Sequence, residues 1–235
     1  MEPMIWAHRG ASAQAPENTS AAFTLARDLG ADGVELDVRR TRDGALAIAH
    51  DDTLPDVGVI ADHELTDLRL AHPDLLTLGP ALDVCLGLVV NVEIKNSPDE
   101  RGYDPEYRAA AQVVALLHER VGRDHVVVSS FDLATLDRVR ALDPAISTAY
   151  LTFGSDPLAD LEVAVEHGHR GINPWFGALA GEQAETVCTS ARARGVTVTP
   201  WTVDDPDTIR RLAAAGVHAI ITNVPDIARA ALGGV

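Results

Sequence analysis

Short apolar runs alternate with amphipathic stretches along the whole chain, a pattern that folds into a parallel sheet covered by helices. The apolar runs lie near 4–9, 33–38, 89–95, 126–131, 147–151, 170–174, 196–201 and 218–222. Stretches with helical periodicity fall near 18–29, 74–86, 105–121, 132–141, 156–167, 181–194, 205–215 and 225–232. Eight strands interleaved with eight helices predict closure into a (β/α)₈ TIM barrel rather than an open doubly wound sheet. At 235 residues the chain suits one such barrel, and no linker or repeat divides it, so residues 1–235 are expected to form a single domain.

Local signals sharpen several boundaries. Thr19 or Asn18 is placed to cap the first helix, and Gly30, Gly195 and Gly216 stand where helices end on a left-handed residue. The stretch 39–73 is the irregular one. Asp43-Gly44 between extended runs signals a two-residue hairpin, a small excursion after the second strand. In the simplest register Arg42 faces Ala45 and His50 falls opposite Asp37.

Side-chain alternation within the strands brings charge inward. In Gly33-Val34-Glu35-Leu36-Asp37-Val38 the valines and leucine face the helices, so Glu35 and Asp37 face the barrel interior. Val90-Asn91-Val92-Glu93-Ile94-Lys95 repeats the pattern and sends Glu93 and Lys95 the same way. Unpaired buried carboxylates are costly, and a divalent cation is their simplest common partner. Three oxygen donors suit a hard ion, Mg²⁺ or Ca²⁺, with Mn²⁺ also acceptable. Three carboxylates with a divalent ion leave one negative charge, and Arg9 with Lys95 turn it into one positive, which a phosphodiester monoanion would neutralise.

Of nine histidines, His8 and His50 end strands on the face where a barrel carries its active site. Two imidazoles there can divide the deprotonation of a nucleophile and the protonation of a leaving alkoxide near neutral pH. His63, His72, His118, His125, His167, His169 and His218 are expected to be structural or merely exposed. Trp6, Trp175 and Phe176 either line the pocket or fill the core, and the core is the favoured expectation. Cys85 and Cys188 lack metal-ligand spacing and are expected as reduced helix cysteines.

The formal charge of −16 argues against nucleic acid or anionic membrane as bulk partners, leaving an anionic small molecule bound where local cations outweigh the general field. No basic start with an apolar run and no stretch of about 20 apolar residues is present, so a cytoplasmic protein without membrane insertion is expected. Oligomeric state has no signature in the sequence.

Taken in order, His8-Arg9-Gly10, Pro16-Glu17-Asn18-Thr19, Glu35-Leu36-Asp37-Val38, Thr41-Arg42-Asp43-Gly44 and His50-Asp51 resemble the glycerophosphodiester phosphodiesterase family. Glu93-Ile94-Lys95, Ser129-Ser130-Phe131, Trp201-Thr202-Val203 and Thr222-Asn223-Val224-Pro225-Asp226 extend the resemblance over nearly the whole chain. The resemblance implies a (β/α)₈ barrel that releases sn-glycerol 3-phosphate and an alcohol from glycerophosphodiesters. It implies Glu35, Asp37 and Glu93 as metal ligands, and His8 and His50 as the acid–base pair. Arg9 and Lys95 would hold the phosphate, and Trp201 would form part of the pocket wall. It leaves open whether water or the glycerol 2-hydroxyl attacks, and which histidine acts first. A sphingomyelinase D-like phospholipase would want a secretory signal and membrane-facing apolar loops, which are not found; a non-catalytic phosphate-binding relative would have lost a histidine or a ligand. Two departures stand out: 51–73 is shorter than the insertion many relatives carry, and Asn223 replaces a frequent aspartate, a change expected to leave the chemistry untouched.

Overall fold

The structure, a computed structural model, describes residues 2–120 and 123–233. Its sheet is built from β1 (Met4–His8), β2 (Gly33–Arg40), β6 (Val89–Ile94), β7 (Val126–Ser130), β8 (Ser147–Thr152), β9 (Gly171–Pro174), β10 (Thr197–Val198) and β11 (Ala219–Thr222), all parallel. The strand order β10-β9-β8-β7-β6-β2-β1-β11 is that of a barrel unrolled at one seam. Backbone bonds from His218 N to Val198 O and from Ile221 N to Pro200 O bridge that seam. The seventh strand is shorter than its apolar run suggested because Pro200 has no N–H for a ladder, though Thr199 and Trp201 still donate to Ile172 and Pro174.

Helices return the chain between strands: α1 (Ser20–Asp28), α3 (Leu78–Val84), α4 (Arg108–His118), α5 (Leu133–Leu142), α6 (Pro157–Glu166), α7 (Gln183–Ala193), α8 (Pro206–Ala215) and α9 (Pro225–Ala231). Thr19 caps α1 by accepting from Ala22 N, and Gly30, Gly195 and Gly216 have φ of +80°, +70° and +85° at the helix ends. The end of α4 expected at 121 lies outside the described residues. A ninth helix, α2 (Leu65–Ala71), was not foreseen.

The outward residues of the strands form the main core. Val34, Leu36, Val38, Val90, Val92 and Ile94 pack with Phe23, Leu78, Val113 and Leu117. Each large side chain so buried contributes roughly 1.5–3 kcal/mol. Inside the barrel, Trp6 is 3% exposed and packs with Ala219 and Ile221, so it is core as expected. Gly33 makes room for it, since a Cβ there would lie 2.6 Å from the Trp6 ring. Both cysteines are free and buried, although Cys85 follows the last turn of α3 rather than lying within it.

The excursion after β2 forms with a different turn. β3 (Leu46–Ile48) pairs antiparallel with β2 in the register Val38↔Ile48, Arg39↔Ala47 and Arg40↔Leu46. Thr41 N donates to Ala45 O, and Gly44 N to Thr41 O. The loop therefore has three residues, with only Gly44 at positive φ (+88°), rather than the two residues of the expected turn. The Thr41 hydroxyl donates to Asp43 and accepts from Ala45 N, which favours this longer loop. Ala49, not His50, consequently donates its N–H to Asp37 O. The remainder, β4 (Thr53–Leu54), β5 (Gly58–Val59), a 3₁₀ turn (Ile60–Asp62) and α2, packs Ile60 and Leu68 against Ala47 and Ala49.

Candidate active site

β2 and β6 run side by side with Asp37 level with Glu93, which sends Glu35, Asp37 and Glu93 into the barrel near its C-terminal rim. Their exposures are 3%, 1% and 7%, and one oxygen of each lies within 4.8 Å of the other two. Glu35 Oε1 is buried with no hydrogen-bond partner. Burial, followed by the neighbouring Asp37 and Glu93 charges, pushes the Glu35 carboxyl well above the usual range. Burial also lifts Glu93, to about 7, against the pull of Lys95. For Asp37 burial acts in the same sense, but Lys95 and Arg9 together outweigh it and hold this carboxyl below the ordinary value. Three crowded oxygen donors, one without a partner, fit a hard divalent cation.

Two cations border the acids. Lys95 Nζ lies 3.0 Å from Asp37 and 2.6 Å from Glu93, and Arg9 Nε lies 3.3 Å from Asp37. Arg9 has φ of +54°, an uncommon conformation for a non-glycine residue, and its backbone N–H donates to Glu35 at 3.1 Å. Glu17 pairs with the Arg9 guanidinium, and Asn18 donates from Nδ2 to Asp37 at 2.8 Å. In the sequence Glu17 stands only within a motif and Asn18 as an alternative helix cap, a role that Thr19 takes instead. Asn18 is 19 positions from Asp37 in the chain, and only the fold makes them neighbours.

His8 ends β1 with Nε2 3.9 Å from Glu35. Its Nδ1 lies 2.7 Å from Asn223 Oδ1. The orientation of that amide follows from Asp204, whose carboxylate accepts from Asn223 Nδ2 at 2.7 Å and from its backbone N at 2.8 Å. A carboxylate accepts only, so the amide oxygen must face His8. His8 then carries its proton on Nδ1 and keeps a bare Nε2 toward the acids. Asn223 thus sets the tautomer of His8, its amide oxygen accepting from Nδ1–H as a carboxylate oxygen would. The signal was the motif Thr222-Asn223, but its partner is 215 residues away.

His50 reaches the same rim despite the shifted register, because it lies beyond the paired part of β3. Its Nδ1 is 2.7 Å from Asp51, and its carbonyl accepts two bonds from Arg39, at 2.8 and 2.6 Å. Arg39 is in turn held by Glu100 at 2.7 Å. Arg39 and Glu100 thus hold the His50 backbone in place, a role the sequence reading did not identify.

A cavity of about 240 Å³ is lined by the polar side chains His8, Arg9, Glu35, His50, Glu93 and Lys95 together with the apolar Phe131, Leu151, Trp201 and Ile221. Trp201 anchors its indole N–H on Asn173 O at 2.8 Å and meets Phe131 edge-on at 5.5 Å. Phe153, 66% exposed, stacks on Trp175 at 5.1 Å and leans on Trp201 at 5.9 Å. The expectation that Trp175 lies in the core is corrected: it is 36% exposed and extends the aromatic wall, while Phe176 is partly buried against the second core cluster. No helix among the described residues is long and apolar enough to cross a membrane.

Residues 8–227 match the model of the glycerophosphoryl diester phosphodiesterase family. A glycerophosphodiester phosphodiesterase of Caldanaerobacter subterraneus is 29% identical, with 96% of each chain covered. A probable glycerophosphodiester phosphodiesterase of Mycobacterium tuberculosis is 34% identical over 95% of this chain and 90% of that one. Among solved structures, a Thermotoga maritima glycerophosphodiester phosphodiesterase superimposes with a TM-score of 0.82 at 27% identity, covering 97% of both chains. An Oleispira antarctica phosphodiesterase in complex with the product sn-glycerol-3-phosphate gives 0.85 at 26% identity, covering 98% and 97%. With its barrel, its clustered acids and this agreement along nearly its full length, the chain belongs to the glycerophosphoryl diester phosphodiesterase family of enzymes.

Proposed function

We propose that this chain is a metal-dependent hydrolase that converts glycerophosphodiesters to sn-glycerol 3-phosphate and an alcohol, with His8 and His50 moving the protons. The observation that carries the reading is one convergence: three buried carboxylates cluster together, and two of them, Glu35 and Glu93, line the same cavity as two imidazoles from separate segments. Glu35, Asp37 and Glu93 would hold one divalent cation, Mg²⁺ or Ca²⁺, with Mn²⁺ also accommodated. That cation supplies charge neutralisation and polarisation at a phosphate oxygen.

The other groups act on the diester directly. Arg9 and Lys95 hold its nonbridging oxygens and stabilise the charge that grows in the transition state. His8, with Nδ1–H fixed by Asn223, accepts the proton of the attacking oxygen at Nε2. His50, oriented by Asp51, donates a proton to the leaving alkoxide. Both water and the glycerol 2-hydroxyl fit this scheme as nucleophile. Trp201 and the aromatic wall border the alcohol part of the substrate.

The test is a hydrolysis panel of glycerophosphocholine, glycerophosphoethanolamine, glycerophosphoglycerol and a bis-aryl phosphate, each with Mg²⁺, Ca²⁺, Mn²⁺ or a chelator. Metal-dependent release of glycerol phosphate is expected. Absence of hydrolysis of every diester with every ion would overturn the reading.

A further inference from the structure

Helices of a parallel barrel run against its strands, so the loops leading into strands lie at the end opposite the catalytic rim. At that end α5 presents Asp137, the last turn of α6 leads to His167, and His169 stands two residues before β9. One donor atom of each of these three lies within 4.8 Å of the other two. His167 Nδ1 is 2.9 Å from Asp137 Oδ2, and His169 Nε2 is 3.6 Å from Asp137 Oδ1. The imidazoles stack nearly parallel, with ring centres 6.0 Å apart and planes 16° apart.

Three features make this more than a surface cluster. The His169 side chain is fully buried, yet its Nε2 has no hydrogen-bond partner and points at the carboxylate. A buried polar atom without a partner is expensive unless something else meets it. The other nitrogen of His169 is 3.0 Å from the Thr148 hydroxyl on β8, a contact that fixes the ring as the outer partners of metal-bound imidazoles do. Finally, donors about 2.0–2.1 Å from a tetrahedral ion sit about 3.3 Å apart, and the single oxygen Asp137 Oδ1 lies 3.0 Å from His167 Nδ1 and 3.6 Å from His169 Nε2, spacings that bracket that value.

We propose that Asp137, His167 and His169 form a second metal site, selective for a borderline divalent transition ion of the Zn²⁺ class and separate from the catalytic rim. Two imidazoles and one carboxylate suit such an ion, whereas the three carboxylates at the rim suit a hard one. Asp137 is 44% exposed and His167 34%, so water can reach the remaining coordination position. Arg140, whose guanidinium lies against Gly168, opposes a dication, and the Asp137 carboxylate offsets it. The site would tie α5, α6 and the start of β9 together, and it does not rest on the hydrolytic function.

Metal-free protein held in excess Mg²⁺ is titrated with Zn²⁺ by calorimetry and with Co²⁺ by visible absorption, alongside thermal melts. One Zn²⁺ per chain is expected to bind, to raise the melting temperature, and to be replaceable by Co²⁺ with the strong visible bands of a four-coordinate nitrogen–oxygen site. Asp137→Asn and His167→Gln, both at partly exposed positions, should each weaken Zn²⁺ by about tenfold or more. Circular dichroism and the melting temperature without Zn²⁺ identify a folded variant. Glu35→Gln should retain the same Zn²⁺ affinity and Co²⁺ spectrum. No Zn²⁺ bound in excess Mg²⁺, or binding lost in Glu35→Gln and unchanged in folded Asp137→Asn and His167→Gln, would overturn the proposal.

Discussion

Strands β1, β2 and β6 meet the mouth of the barrel with His8, Glu35, Asp37, Glu93 and Lys95, whereas β7 to β10 and their loops meet it with Phe131, Leu151, Phe153, Trp175 and Trp201. The first half carries charge that must be neutralised where it is buried, and Glu35 and Glu93 are correspondingly raised. The second half offers indole and phenyl faces, with the Trp201 indole N–H already donating to Asn173 O. One fold can support both because a strand's inward positions are independent of its outward ones.

That division is open to attack by substitution. The largest effect should come from emptying the carboxylate cluster: a chelator, or Glu35→Gln, is expected to lower diester turnover by about 10³-fold or more, beyond the loss of a single transition-state hydrogen bond. Turnover close to normal in initial-rate assays would break the assignment of this half to the phosphate. Next, His8→Ala and His50→Ala should each lower kcat by about 10²–10⁴-fold. If the two have the proposed roles, their pH–rate profiles should lose opposite limbs, the basic role belonging to His8. Loss of the same limb from both would sharpen the comparison by reassigning one of them.

Positioning residues should have smaller effects. Asn223→Ala and Arg39→Met are expected to reduce kcat by about 10–100-fold with KM little changed, because each orients a histidine rather than binding substrate. A change confined to KM would refute that role. The smallest effects belong to the aromatic half. Phe153→Ala and Trp175→Ala should raise KM by about two- to tenfold for substrates with bulky alcohols and leave small-alcohol substrates nearly unaffected. Equal changes for all substrates would show the wall to be structural.

Much of this site was legible because alternation in a strand is strict. Val34, Leu36 and Val38 could not face the helices without turning Glu35 and Asp37 inward. The hairpin shows where such reasoning stops. A turn one residue longer than expected moved the pairing by one, which brought Ala49 opposite Asp37. His50 still reached the rim because it lies outside the paired segment. The seven histidines set aside together also differ from one another: His63 lies on a surface turn, whereas His169 is buried with an unpartnered nitrogen.

By itself the sequence determined the barrel, the inward acids of β2 and β6, and His8 at the end of β1, because each follows from local periodicity and chain direction. The tertiary structure alone decided that Asn223 orients His8, that Arg39 clamps the turn at His50, that Asn18 holds Asp37, and that Phe153 and Trp175 face each other. The physical reason is range: a residue's direction depends on its own strand, but a hydrogen bond or ring contact depends on where two distant segments come to rest. Asp137, His167 and His169 make the same point at the other end of the molecule, where the packing of α5 against the loop before β9 gathers three donors with no common motif.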